Sequence, residues 1–350
     1  MIYRKQKDYD RFKCIADKCP KSCCIGWQIM IDENSLEKYQ NTTGDFSDRL
    51  KTGVDYTASA FRQDHTRCRM LNPQGLCDLQ TSLGENYLCD TCRLYPRHIE
   101  EFQDLREYSL SLSCPEVTRM ILSADYDFGL TETEDDTSDS PEEFEDFDFL
   151  IFDQLEYARE QMLALASDPT IPLQERMERI AAVAYRLQTL YDEGEILSMA
   201  DISYDSVDAV PGTGILLDPE YCIESLNVLI DMESLEADWT ESILATRDYW
   251  LRFAKDSKEW SETMYPAADI AYQYEKVFKS LLFTYFCGAI YDGEIYARAM
   301  IAVQSVRFLM MICAATKEDV APTVYLYSRE VEHSDPNINA LISYFEEELP

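Results

Sequence analysis

Glycine and histidine are scarce in this 350-residue chain, with 11 of the first and 3 of the second. No Gly-x-Gly-x-x-Gly run follows a strand pattern and no Gly-x4-Gly-Lys-Ser/Thr loop occurs, so neither an ordinary dinucleotide domain nor a phosphate-cradling loop is expected. Three histidines leave little for a His-rich metal site or a Ser-His-Asp relay. A basic surface is also missing. The formal net charge of −35 excludes the phosphate neutralisation on which nucleic-acid binding depends. The first ten residues carry charge but no apolar stretch of a secretory signal. The longest apolar stretches, 277–290 and 299–315, are interrupted by Lys279 and by Gln304 and Arg307, and read as buried helices rather than membrane spans. The expectation is a soluble, cytoplasmic protein with neither nucleic acid nor membrane as a partner.

What the chain has is cysteine. Nine of its twelve lie in the first third: Cys14, Cys19, Cys23, Cys24, Cys68, Cys77, Cys89, Cys92 and Cys114. A reducing compartment and an odd count argue against a disulfide framework and for metal. Adjacent residues do not easily face one ion, so Cys23 and Cys24 serve different sites or only one of them ligates. Nine thiols suit two four-thiolate sites with one spare, or one cluster plus reactive thiols. Zinc ribbons offer two Cys-x2-Cys knuckles and only Cys89-x2-Cys92 is present, which favours an iron–sulfur cluster over zinc without excluding zinc. The Cys-x3-Cys-x2-Cys triplet of radical S-adenosylmethionine enzymes is absent, because position 26 is Gly26. Lys18, Lys21, Arg67, Arg69, Arg93, Arg97 and His98 lie close to cysteines in sequence, where cations lower thiol pKa.

Charge divides the chain. Residues 1–114 hold 16 Lys and Arg against 17 Asp and Glu, whereas residues 115–350 hold 15 against 49. Such acidity favours solubility and attracts basic partners. Between the parts, residues 131–148 carry ten acids in eighteen positions and read as an extended linker. The fold class expected is mainly α: a loop-rich, Cys-rich metal-binding N-terminal region at 1–130, the acidic linker at 131–148, and an all-α helical domain at 149–350. Short helices are predicted at 35–41 and 117–123. Longer ones are predicted at 150–166, 173–192, 221–235, 239–255, 268–290, 293–315, 320–328 and 337–348, with a Gly- and Pro-punctuated gap at 209–214.

Polar function concentrates again near the C-terminus. Arg329, Glu330, Glu332, His333 and Asn337 combine charge, a proton acceptor and an amide, in a place that also suits a capped helix end. The aromatics Tyr272, Tyr274, Phe278, Phe283, Tyr285 and Phe286 read as core before they read as a methylammonium cage. His65 and His98, each near a cysteine, read as ordinary hydrogen-bonded imidazoles before ligands.

Three N-terminal stretches and one C-terminal stretch carry a resemblance. Cys14-Ile-Ala-Asp-Lys-Cys-Pro-Lys-Ser-Cys-Cys-Ile-Gly-Trp-Gln-Ile29, Tyr87-Leu-Cys-Asp-Thr-Cys-Arg-Leu-Tyr-Pro-Arg-His98, Ser109-Leu-Ser-Leu-Ser-Cys-Pro-Glu116 and Tyr327-Ser-Arg-Glu-Val-Glu-His-Ser334 resemble the flagellin lysine-N-methylase (FliB) family. The cysteine pattern is also similar to broader zinc- or iron-chelating families. The resemblance implies methyl transfer from S-adenosylmethionine to surface lysines of flagellin or another lysine-bearing protein. It also implies dependence on an iron–sulfur cluster, of the 4Fe–4S type in the first instance with zinc as the alternative, held by the nine cysteines. Arg329, Glu330, Glu332 and His333 become the catalytic candidates, with Glu330, Glu332, His333 or a tyrosine relieving the lysine of its proton. A zinc-stapled binding module and an iron–sulfur redox protein are the competing readings.

Overall fold

A computed structural model describes residues 1–138, 144, 147–204, 218–254, 257–266 and 268–347. The acidic run caps its own helix. Asp148 accepts the amides of Leu150 and Ile151, opening a helix at Phe149–Ala166, as an aspartate at this position should. Asp218, followed by Pro219, starts Pro219–Asp231 in the same way.

Five short helices lie in the first third: α1 (Glu33–Asn41), α2 (Ser47–Gly53), α3 (Asp78–Leu83), α4 (Asp90–Leu94) and α5 (Pro115–Ile121). The helical domain follows with α6 (Phe149–Ala166), α7 (Leu173–Asp192), α8 (Pro219–Asp231), α9 (Trp239–Trp250) and α10 (Ser257–Met264). It is completed by α11 (Ala268–Tyr285), α12 (Ala289–Asp292), α13 (Ile295–Thr316), α14 (Val320–Glu332) and α15 (Asp335–Glu347). The fold is mainly α, as expected. The predicted ends at Lys255 and Glu348, and the gap at 209–214, lie outside the described residues.

The α13 helix is apolar on every side and packs against α7, α9, α11, α14 and α15. Its length and composition would suffice to cross a membrane, yet 78% of its most apolar window is buried inside the fold, which makes it the central core helix. Its polar residues are partnered: Gln304 donates to Ser225 at 3.1 Å and Ser305 bonds the Tyr327 hydroxyl at 2.8 Å. Tyr274, Phe278, Phe283 and Phe286 are core, while Tyr272 remains exposed.

The N-terminal part holds more strand than expected. Strands β1 (Ile2–Gln6), β6 (Arg97–Phe102), β7 (Leu105–Leu110) and β8 (Leu130–Glu134) form one sheet in the order β6-β7-β1-β8, with β1 parallel to β7 and the other pairs antiparallel. Two small hairpins, β2 (Val54–Asp55) with β3 (Ala60–Phe61) and β4 (Gln63–Asp64) with β5 (Arg67–Cys68), complete the set. Strand β8 occupies the start of the segment expected to be a linker. Glu132 faces Arg4 across the strands and pairs with it at 2.6 Å, so a cross-strand cation offsets the repulsion that the acid run suggests.

Burial also cuts across the expected division. Tyr9, Phe102, Leu110, Cys114, Val117 and Ile121 share one large core with the helical domain. A separate small core of ten buried residues, among them Ile29, Tyr39, Leu50, Phe61, Cys68 and Cys89, belongs to the Cys-rich body alone. Sheet and helices are joined by charge as well. Glu107 on β7 receives Arg159 of α6 at 2.6 Å on each oxygen, and Arg4 at 2.8 Å. Burial works to raise the Glu107 carboxyl, but the two guanidinium groups offset it and hold it below its ordinary range. Removing one partner strands a buried charge, so Glu107→Ala is expected to cost about 3–5 kcal/mol in a urea titration. A loss under about 1 kcal/mol would show that the pair contributes little to stability.

Candidate metal and catalytic centre at the domain junction

The end of α14 is where the two bodies meet. Arg329, 1% exposed, donates through Nη2 to the Ile25 carbonyl, beside the cysteine pair. The approach needs Gly26, whose φ of +99° suits glycine and where a Cβ would stand 3.1 Å from that nitrogen. Nε and Nη1 of Arg329 make no hydrogen bond, and Nε lies 3.7 Å from Glu236. Glu236 is itself paired with Lys21 at 2.7 Å.

His333 sits in an aromatic slot, stacked on Trp27 at 4.4 Å and met edge-on by Tyr95 at 5.6 Å. Its Nε2 lies 2.8 Å from Ser113 Oγ, which is 2.7 Å from Ser111 Oγ, and Ser111 donates to Glu332 at 2.9 Å. The Tyr95 hydroxyl joins at Ser113 with 3.1 Å. Glu332 and His333, neighbours in sequence, are thus the two ends of one chain of hydroxyls that lies next to Cys114. Burial, reinforced by Arg329, pushes His333 down to about 3, so the ring is neutral near pH 7. Burial pushes Glu332 up, against the hydrogen bond from Ser111.

Glu330 has a different place from the proton acceptor expected of it. Its two oxygens accept the amides of Leu235 and Glu236 at 2.8 and 2.7 Å, while Asn337 bonds the Glu330 and Glu233 carbonyls at 2.6 and 2.9 Å. This fully buried carboxylate is a brace for the 233–236 loop. Trp27, Tyr95, Ser111 and Ser113 lie in the stretches that carry the family resemblance, but nothing in their own chemistry marks them as site residues. The Ser109-Leu-Ser-Leu-Ser113 alternation is the sign that was available, since a period of two puts three serines on one side of an extended chain.

All nine N-terminal cysteines are free thiols; Cys14 is exposed and Cys68, Cys89 and Cys114 are buried. Among the described residues no three His, Cys, Asp or Glu side chains converge on a common point. The thiols nevertheless act on one another. Cys23 is raised by its hydrogen bond with Cys24, by burial, and by Cys14 and Cys114. Burial raises Cys68 to about 12, with Cys24, Cys77 and Cys89 adding to the effect. Cys24 and Cys89 are lowered instead, chiefly by Cys23 and Cys92, so each close pair holds one thiol readier to ionise than the other. Soft donors in that state fit a thiophilic cation, which would offset the cost of ionising the rest. Of the expected cations, Arg67 lies close enough to lower Cys24, and so does Arg329, which sequence proximity could not reveal. Arg69 and Arg93 are instead paired with Asp64 and Asp90, and His98 lies 2.6 Å from Glu100. His65 is exposed at the β4–β5 turn. A cleft of about 340 Å³ lined by Gln28, Asp55, Phe61, Arg62 and Arg69 lies on the Cys-rich body and includes none of the candidate residues.

Residues 159–349 match the FliB lysine N-methylase C-terminal domain, and the chain belongs to that family. A lysine-N-methylase of Salmonella typhimurium is 30% identical over 133 residues, covering 32% of this chain and 30% of that protein. One from Salmonella choleraesuis is 29% identical over 132 residues, with the same coverage. The flagellar biosynthetic protein FliU of Salmonella muenchen is 28% identical over 124 residues, covering 32% of this chain and 72% of that protein. The chain spans 30% of the length of the two lysine-N-methylases it matches. No solved structure matches it.

His333 supplies a pH signature. Its folded pKa lies below the unfolded value of about 6.5, so it contributes stability above that value which is lost as pH falls toward 3. Glu330, raised by burial to about 7, works in the opposite sense. The comparison that isolates the histidine is therefore with His333→Gln. Below pH 6.5 the parent should lose stability relative to this variant by up to about 1.4 kcal/mol per pH unit, read by denaturant titration. Parallel curves would show an imidazole open to water.

Proposed function

We propose that this protein is a lysine N-methyltransferase that moves a methyl group from S-adenosylmethionine to lysines of a protein substrate, flagellin being the first candidate. The observation that carries the reading is the hydroxyl chain from Glu332 through Ser111 and Ser113 to His333. In it the family-defining C-terminal domain meets the thiol-bearing segment ending at Cys114. Family membership and the relatives named lysine-N-methylase support the same reaction. The acidic surface favours a basic, lysine-presenting partner, and the reducing setting that keeps twelve thiols free fits the cytoplasm.

A lysine ammonium cannot attack a methyl group until it loses a proton, and its ordinary pKa of about 10.4 makes that loss costly near pH 7. We assign that proton to the carboxylate of Glu332, whose burial raises it above the ordinary carboxylate range and so makes it a stronger base. The freed amine then forms the N–C bond as the donor's S–C bond breaks, with the electron pair leaving on sulfur. Glu332 keeps that proton through the transfer, while Ser111 and Ser113 hold it in line with His333, which burial keeps neutral and too weakly basic to take it. Cys14, Cys19, Cys23, Cys24, Cys68, Cys77, Cys89, Cys92 and Cys114 are the residues to hold an iron–sulfur cluster, 4Fe–4S before zinc. Such a cluster would supply redox capacity beside this chain.

The test uses anaerobically purified protein with S-adenosylmethionine and flagellin, and mass spectrometry to count methyl increments on lysines. Glu332→Gln should lower the rate by about 100-fold or more, while Lys51→Gln, at an exposed position paired with Asp48, should leave it near the parental value. Methylation at the parental rate by Glu332→Gln removes the proposed base.

A further inference from the structure

The outward face of α6 takes no part in the site and is apolar where a solvated face would be polar. Phe149, Leu150 and Tyr157 are 56, 45 and 43% exposed. A helix turns once in about 3.6 residues, which places Phe149, Asp153, Tyr157 and Glu160 within a quarter turn, with Leu150 at its edge. Tyr291 of α12, 54% exposed, extends the patch at the start of the helix, since the Phe147 ring lies 5.3 Å from Phe149 and 6.3 Å from Tyr291. Tyr291 is fixed in place: its ring stacks on Phe102 at 6.1 Å and its hydroxyl donates to the Glu101 carbonyl. Apolar groups gathered in the open mark a surface for a partner, and rings already immobile lose little freedom when one arrives.

The charge on this face is of one sign. Asp153 and Glu160 are exposed and neither has an ion pair among the described residues, whereas Glu175 on α7 and Glu275 on α11 are held by Arg179 and Lys279. The one cation of α6, Arg159, turns inward to Glu107, and Arg4 at the margin is taken up by Glu107, Glu132 and Glu156. Asp148, which caps the helix, is the last acid of the run 131–148, so the charge of that run adjoins the patch.

The pattern selects the partner. Leu150 and Tyr157 are seven residues apart, and so are Asp153 and Glu160. An apolar row flanked by charge at that repeat lets a second helix lie alongside, and chooses it by its own flanking charges. Lysine or arginine complements these acids, while a second copy of the same face would set acid against acid. We propose that the outward face of α6 docks a lysine-bearing amphipathic helix of the protein substrate. The proposal rests on the reading that this protein acts on lysines of another protein, and it gives recognition to residues other than those of the Glu332 chain.

The full chain is titrated, without S-adenosylmethionine, into a fluorescein-labelled helical peptide with leucines along one face and lysines beside them, and into its twin with glutamate for lysine. Anisotropy should rise with the lysine peptide alone. Leu150→Ser with Tyr157→Ser, and separately Asp153→Lys with Glu160→Lys, should each weaken binding about tenfold or more. Leu251→Ser, and Glu37→Lys with Glu241→Lys, make the same kinds of change at exposed positions elsewhere and should leave it within about twofold. All of these side chains face solvent, and circular dichroism checks that each variant is folded. Equal weakening by the control pair would reduce the contact to net charge and overturn the proposal, as would face variants that bind like the parent. Sedimentation showing that the parent self-associates, and that the Leu150→Ser, Tyr157→Ser chain does not, overturns it by giving the face to a second copy. With flagellin as substrate, the face variants should raise KM about tenfold and change kcat far less; a KM that does not move overturns the docking. A chain that methylates nothing can still bind the peptide through α6, and an active one can bind it elsewhere, so the two proposals fail separately.

Discussion

One turn of helix, from Arg329 to His333, joins two bodies of different construction. On one side is a helical domain organised around an apolar central helix, which needs no help to bury its surface. On the other is a body of two-residue strands and helices of five to nine residues, whose small core is part sulfur. Arg329 bonds the backbone beside the cysteine pair, and His333 fills the slot between Trp27 and Tyr95. Arg329, Glu332 and His333 all lie on this seam. The seam consists of desolvated polar contacts, which are strong when satisfied and costly when broken.

That arrangement sets the chemistry the residues can do. Burial among aromatic walls keeps the imidazole neutral and the carboxyl of Glu332 reluctant to ionise, and titratable groups shifted in this way are a mark of functional sites. Cys23, Cys68, Cys92 and Cys114 are held back by burial and by neighbouring thiols, while Cys24 and Cys89 are lowered by theirs. Their surroundings suit them better as ligands of a cation than as free thiolates.

The helical half was legible because its helices announce themselves twice, by apolar periodicity and by a stop or a cap. Residues 173–192 were placed to the residue, with Gly194 just beyond. The sheet was not legible. Strand β8 is Leu130 followed by alternating threonines and glutamates, every residue exposed, and it is a strand only because β1 offers it an edge and Arg4 a cation. The cysteines were visible as a class, and the suspicion that Cys23 and Cys24 look in different directions came from covalent geometry alone. The seam lay beyond reach, because Glu330 and Glu332 are the same residue two positions apart. Only the tertiary fold makes one a loop brace and the other the end of a hydroxyl chain. Ser111 and Ser113 showed an alternation but no chemistry until His333 and Glu332 arrived beside them.

The bond from Arg329 to Ile25 closes a loop of 304 residues. A ribosome delivers Ile25 well before that arginine, and at ordinary elongation rates of about 5–20 residues per second the interval is tens of seconds. Throughout it the backbone beside Cys23 and Cys24 lacks its distant partner. Once α14 packs, that backbone is covered by a guanidinium and Trp27 by a stacked imidazole. The contact therefore forms late in synthesis, and a nascent chain presents its cysteine pair uncovered for most of that time.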